Sequence, residues 1–199
     1  MQLWNVRKKN LGFTLTEVLV VGILFAILSA IAVPNLIGLL NNARVTDGTS
    51  DIEGAIKEAK RQAIRFSQTC VIEVATENID GENRSVIRTA AAGTTASGNI
   101  ISANNSRCLL ERRILPIGVD VDITTNEASA TPNMITISGK GNIDYSDLDS
   151  ASATPPVLTE RTYAVSHNSA ATAKCVVLEG LFGDIQTGIV QDGNCNTNI

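Results

Sequence analysis

From Val18 to Ala43 the chain carries no charged residue, and a single carboxylate, Glu17, stands directly before the run. About 20 apolar residues at about 1.5 Å each cover the roughly 30 Å hydrocarbon core of a bilayer, so this segment is long enough to cross one. Arg7, Lys8 and Lys9 precede it with no acid among them. That basic flank holds the N-terminus in the cytoplasm and sends everything after Arg44 across the membrane. The remainder is predicted as a periplasmic or extracellular domain.

Three readings of this N-terminus compete. A secretory signal would use Val18 to Ser29 as its apolar region and Ala30-Ile31-Ala32 as a small-x-small cleavage site. Glu17 argues against it, because an ionisable group at the start of an inserted segment is costly and serves no purpose in a discarded peptide. The second reading is an uncleaved signal anchor, and the third is cleavage before the apolar run.

The order of a short basic leader, Gly12, Phe13, and then Glu17 as the fifth residue after the glycine resembles the class III signal of type IV pilins and type II secretion pseudopilins. The likeness runs from Lys8 to Leu40 and includes Pro34, where many pilins carry a helix-loosening proline. It implies that a prepilin peptidase on the cytoplasmic side cuts after Gly12 and N-methylates Phe13, so that the apolar helix is kept. It also implies an assembly role for Glu17, which would pair with the Phe13 amine of a neighbouring subunit.

Physical chemistry supplies a reason for the acid. Glu17 lies one helical turn from Phe13, about 6 Å along the axis, and a carboxylate in the first turn complements the positive end of the helix dipole. Between chains the pair acts as a register device, since unpaired charge in apolar surroundings is expensive. The bland alternative is a carboxylate that snorkels to the headgroups or is protonated.

The 199 residues hold 16 basic and 20 acidic side chains, a net charge of −4. Loss of residues 1–12 removes three of the basic ones, so nothing in the balance recruits nucleic acid. The sole tryptophan, Trp4, would leave with the leader. Cys70, Cys108, Cys175 and Cys195 all lie beyond the apolar run, which fits two disulfides in an oxidising compartment. No two form a CxxC pair, so zinc or redox chemistry has little support. Of three connectivities, Cys70 with Cys108 and Cys175 with Cys195 is favoured, because neighbours in a meandering chain are usually neighbours in space.

Ile52, Ile56, Ala59, Ala63 and Phe66 recur at helical spacing, while Asp51, Glu53, Lys57, Glu58, Lys60, Arg61 and Arg65 fill the other faces. The helix therefore continues as an amphipathic half. Gly48 and Gly54 suggest a bend or short break near Thr46 to Ser50. Past Ser67 the period becomes alternating, with candidate strands at Cys70 to Ala75, Val86 to Thr89, Val119 to Thr124, Met134 to Ser138, Thr162 to Val165, Lys174 to Leu178 and Ile185 to Val190. The expected fold class is α+β: a long N-terminal helix, transmembrane and then amphipathic, packed on an antiparallel β-sheet head with two disulfides. The boundaries are a leader over 1–12, a transmembrane and assembly helix over 13–43, an amphipathic half over 44–68 and a head over 69–199.

Ala59 to Ile64, running into the strand at Cys70, looks like the minor pseudopilin group that includes the H-type subunit of type II secretion and related minor pilins. Some relatives in pilus systems bind DNA through a basic motif near the end of the head. The comparable Leu181-Phe182-Gly183-Asp184-Ile185-Gln186 has no arginine, so DNA binding is not carried over. Generic pilins often end in a disulfide-closed loop, to which Cys175 and Cys195 are similar.

No catalytic set emerges. His167 is the sole histidine, and Ser166 beside it lacks a GxSxG context. Asp144, Asp147 and Asp149 are weak calcium candidates whose spacing does not match an EF-hand. Gly139-Lys140-Gly141 opens no helix and makes a poor phosphate cradle. No cofactor is implied.

The expectation is a non-enzymatic structural subunit held in the bacterial inner membrane by one pass, with its head in the periplasm, and partnered by the prepilin peptidase and other pilins. The alternatives are a filament-tip binding module, an adhesin or DNA-uptake subunit, and a signal-anchored periplasmic protein. A binding module would need an exposed apolar or basic patch that the sequence does not display.

Overall fold

The computed structural model describes residues 12–91, 93–94, 100–101, 107–125, 133–144, 160–180 and 182–197. The chain divides after Gly38 into two compact units.

Helix α1 spans Leu15–Phe66. Thr14 caps it: the Glu17 amide donates to Thr14 O at 3.1 Å and is shared with Thr14 Oγ1 at 3.3 Å, occupying a first-turn N–H at the open end of the helix. At the other end Ser67 takes a left-handed conformation with φ 50°, and the Gln68 amide donates back to Ala63 O at 3.1 Å. With the Ser67 amide donating to Ile64 O at 3.2 Å, this is a Schellman stop built on serine rather than glycine. Gly139 makes the stop compatible with the next layer, because a Cβ there would stand 2.7 Å from the Ser67 carbonyl carbon.

No break occurs near Thr46 to Ser50, which corrects the expectation drawn from Gly48 and Gly54. Both glycines serve close approach. A Cβ on Gly48 would lie 3.1 Å from Val119 Cγ1 and 3.4 Å from Val165 Cγ1, and one on Gly54 would lie 2.9 Å from Arg113 Nη1. The propensity cost of about 1 kcal/mol per glycine is offset by the packing it allows.

The head holds an antiparallel sheet in the order β5-β2-β1-β7-β8, formed by Arg113–Ile114, Glu82–Thr89, Cys70–Ile79, Met134–Ile137 and Ile143–Asp144. A second antiparallel sheet runs β12-β11-β10-β9-β6, formed by Asn194–Asn196, Asp184–Gln191, Lys174–Glu179, Glu160–His167 and Val119–Thr125. A small ribbon joins β3, Gly93–Thr94, to β4, Ile100–Ile101. All seven expected strands are present, and β3, β4, β5, β8 and β12 are additional. The hairpins β1-β2 and β11-β12 turn on Asp80-Gly81 and Asp192-Gly193, all four residues at positive φ, as type I′ turns require.

One apolar cluster draws on the helix and both sheets. Val45, Ile52, Ile56, Ala59 and Ala63 of α1 meet Ile72, Ile87, Ile135 and Ile137 of the first sheet and Tyr163, Val165, Val176 and Leu178 of the second. The bridges are Cys70–Cys108, closing across 38 residues, and Cys175–Cys195, across 20. They are the pairs that the meander argument favours.

Two side chains depart from the helical wheel. Glu58, placed on an outer face by its spacing, is buried. It accepts the Leu110 amide at 2.9 Å and Arg113 Nη2 at 2.8 Å. Phe66, expected on the core face, is 38% exposed.

Candidate processing and assembly site

Gly12, Phe13 and Thr14 lie outside the helix, which starts one residue later. A peptide bond in this short non-helical segment is free of the i to i+4 ladder that would otherwise shield it from a peptidase. Nothing lies within 4 Å of a Cβ built on Gly12, and Phe13 is 81% exposed. Glu17 is exposed on the first turn of α1. Thr14-Leu15-Thr16-Glu17 also fits the Ser/Thr-x-x-Glu pattern of a helix start, a signal the sequence reading passed over in favour of charge alone.

From Val18 to Leu40 the large apolar side chains are 46% to 66% exposed on every face of the helix. A helix that is apolar all round must be covered by something outside its own chain, whether lipid or other helices. Pro34 falls inside α1 without ending it. Its missing N–H leaves the Ala30 carbonyl without its usual donor, and one residue on, Asn35 Nδ2 donates to Ile31 O at 3.3 Å.

A prokaryotic N-terminal methylation motif matches residues 7–33, spanning the basic flank, the Gly12 to Phe13 junction and much of the apolar helix. The chain thus carries an N-terminal methylation motif of the type IV pilin-like kind. The chain is also similar to the crystal structure of the type IV minor pilin FimU of Pseudomonas aeruginosa, at 15% identity and a TM-score of 0.45, over 78% of this chain and 94% of that one. No curated protein sequence matches this chain.

Within the head unit, two asparagines at the start of the amphipathic half tie α1 to the β9-β10 loop. Asn41 Nδ2 donates to Ser169 O at 3.4 Å, and Asn42 Oδ1 accepts the Ala171 amide at 3.1 Å. His167, the last residue of β9, braces that loop: its Nδ1 accepts the Ser169 amide at 3.0 Å. That places the sole histidine in a turn-holding role. The head also has an open cleft of about 290 Å³ bordered by Thr46, Thr49, Ser50, Glu53, Lys174 and Thr187, and His167 is not part of its wall.

Further along, Glu58 sits beneath the Cys108 loop. Burial alone would push its carboxyl up, but the Leu110 amide, the Arg113 guanidinium and the nearby Arg61 charge together hold it below the ordinary carboxylate value. Arg113 also reaches Asp51 at 3.6 Å. The group therefore locks the loop to the helix as an ion pair and not as a proton carrier.

Of the calcium candidates, Asp144 ends β8 opposite Thr136, while Asp147 and Asp149 lie outside the described residues. Among the described residues no three His, Cys, Asp or Glu side chains are grouped as metal ligands.

Proposed function

We propose that this chain is a minor subunit of a type IV pilus or of a type II secretion pseudopilus, made as a precursor with residues 1–12 as leader. A prepilin peptidase cuts after Gly12 and methylates the new Phe13 amine. The helix over 13–43 then waits in the inner membrane with the head, 69–199, in the periplasm. Two disulfides suit that compartment.

The observation that carries this reading is the helix from Val18 to Leu40, exposed all round and headed by one acid. Lipid satisfies such a surface in storage and like helices satisfy it in a filament. Only the acid discriminates among registers, because apolar contacts are non-directional. Glu17 of an incoming subunit therefore pairs with the methylated Phe13 amine of its neighbour, and Pro34 gives the helix freedom to repack.

Mass spectrometry of the mature N-terminus is expected to find N-methylphenylalanine at position 13. An intact Met1 would support the anchor reading, and a terminus at Val33 the secretory one. Glu17→Ala is expected to leave insertion and processing intact while blocking incorporation beside wild-type subunits. Normal incorporation of that variant would sink the register argument.

A further inference from the structure

The described arginines differ in what holds them, and Arg44 donates to Asn41 Oδ1 at 3.3 Å. Arg88, Arg112 and Arg113 pair with Glu73, Glu77, Glu58 and Asp51 at 2.5 to 3.6 Å. Arg84 and Arg161 donate to the Leu115 and Met134 carbonyls. Arg61, Arg65 and Arg107 are exposed, and among the described residues none of them is ion-paired.

Structure brings Arg65 and Arg107 together although 42 residues of sequence separate them. Arg65 and Arg107 place their guanidinium carbons 5.5 and 5.6 Å from the centre of the Phe66 ring. Arg61 stands one turn earlier on α1. The neighbouring Cys70–Cys108 bridge ties Arg107 to the first sheet, beside the end of the helix. A guanidinium held against an aromatic face loses less freedom when its N–H groups take up a carboxylate. The half-exposed Phe66 is thus the support of a cationic surface and not a failed core residue.

The same head carries a matching surface of opposite sign. Strand β6 is an edge strand whose Asp120 and Asp122 are exposed. They stand opposite Ser166 and Ala164 on β9, so no cation on the partner strand neutralises them.

We propose that Arg65 and Arg107, held against Phe66, dock against the Asp120 and Asp122 face of β6 on a second copy of this chain, with Arg61 one turn away on α1 adding to the same charge. The contact rests on the filament reading above. Because the two surfaces are different parts of the head, the contact is heterologous and sets two copies head to tail wherever they meet. Exposed ion pairs are individually weak, so the contact sets orientation and register while the apolar helices supply the affinity. A nucleic acid is a poorer occupant, since the net charge of −4, which becomes more negative once the three basic residues of the leader are lost, repels a phosphate chain.

The test uses the full-length chain in cells that assemble the filament, with sheared filaments probed for the subunit. Arg65→Glu with Arg107→Glu, and separately Asp120→Lys with Asp122→Lys, are each expected to lower the incorporated fraction by about tenfold or more, since like charges are then juxtaposed. Membrane levels and the Cys70–Cys108 bond, followed on non-reducing gels, remain normal. A chain carrying all four reversals regains complementarity to its own copies and is expected to recover most of the wild-type incorporation. Unchanged incorporation of either reversed pair, or no recovery with four, overturns the contact. Binding of a single-stranded oligonucleotide by the wild-type chain, lost on reversing the arginines, overturns the choice of partner. Absence of the wild-type chain from filaments defeats the filament reading itself.

Discussion

Helix α1 passes through two chemical worlds without interruption. From Val18 to Leu40 its apolar side chains are exposed on all sides, whereas from Val45 to Ala63 its apolar residues sit on one face and are fully buried. The glycines mirror the split: Gly22 and Gly38 have nothing within 4 Å of a built Cβ, while Gly48 and Gly54 are pressed against Val119 and Arg113. Residues of the same type are therefore under different constraints in the two halves. In one the chain's own core selects for shape; in the other it selects only for apolar character.

Unfolding of the detergent-solubilised mature chain, followed by far-ultraviolet circular dichroism because Trp4 would leave with the leader, can break this contrast. The largest effect is expected from Cys70→Ser with Cys108→Ser, about 4 kcal/mol from loop-closure entropy, against about 3 kcal/mol for the shorter Cys175–Cys195 loop. Equal or reversed losses would show that native contacts outweigh loop length. Next, Ile56→Ala is expected to cost about 3 kcal/mol, because it empties a site 1% exposed. Ile27→Ala, its counterpart in the apolar half, should leave head stability unchanged; a comparable loss there would erase the distinction.

Gly48→Val is expected to cost about 2 kcal/mol by overpacking against Val119 and Val165. Gly22→Val in the same assay should cost the head nothing. The smallest effect is expected from Glu58→Gln, about 1 kcal/mol at neutral pH. The folded carboxyl lies below its ordinary value of 4.5, so its contribution is complete above that pH and is lost as pH falls through the folded value. Wild type should therefore lose stability more steeply than Glu58→Gln below about pH 4.5. Parallel acid slopes for the two proteins would remove Glu58 from that role.

Much of this was legible before any coordinates. The helix end at Phe66, all seven strand centres and both bridges follow from periodicity, polarity and sequence proximity. Strand β2 begins four residues before its apolar alternation, because Glu82, Asn83 and Arg84 are polar; the Asp80-Gly81 turn is the signal that places its start. Asp192-Gly193 would have revealed β12 in the same way. Strands β3, β4, β5 and β8 have two residues each, too few for alternation to register. At the N-terminus Gly12, Phe13 and Glu17 are visible as a pattern, and the cap from Thr14 shows in sequence only as the Thr-x-x-Glu spacing.

By itself the sequence determined the properties that depend on order along the chain: an uncharged span long enough for a bilayer, an acid one turn after a Gly-Phe junction, and the change from helical to alternating period. Tertiary structure decided what depends on residues far apart meeting. It turned Gly48 from a suspected break into a contact with Val119, took Glu58 into the interior because Arg113 arrives there, and drew Arg107 to Phe66. The reason is that helix and membrane signals are local, with every contributor within a few residues. Burial and charge pairing depend on the path of the whole chain, which periodicity on one element does not contain.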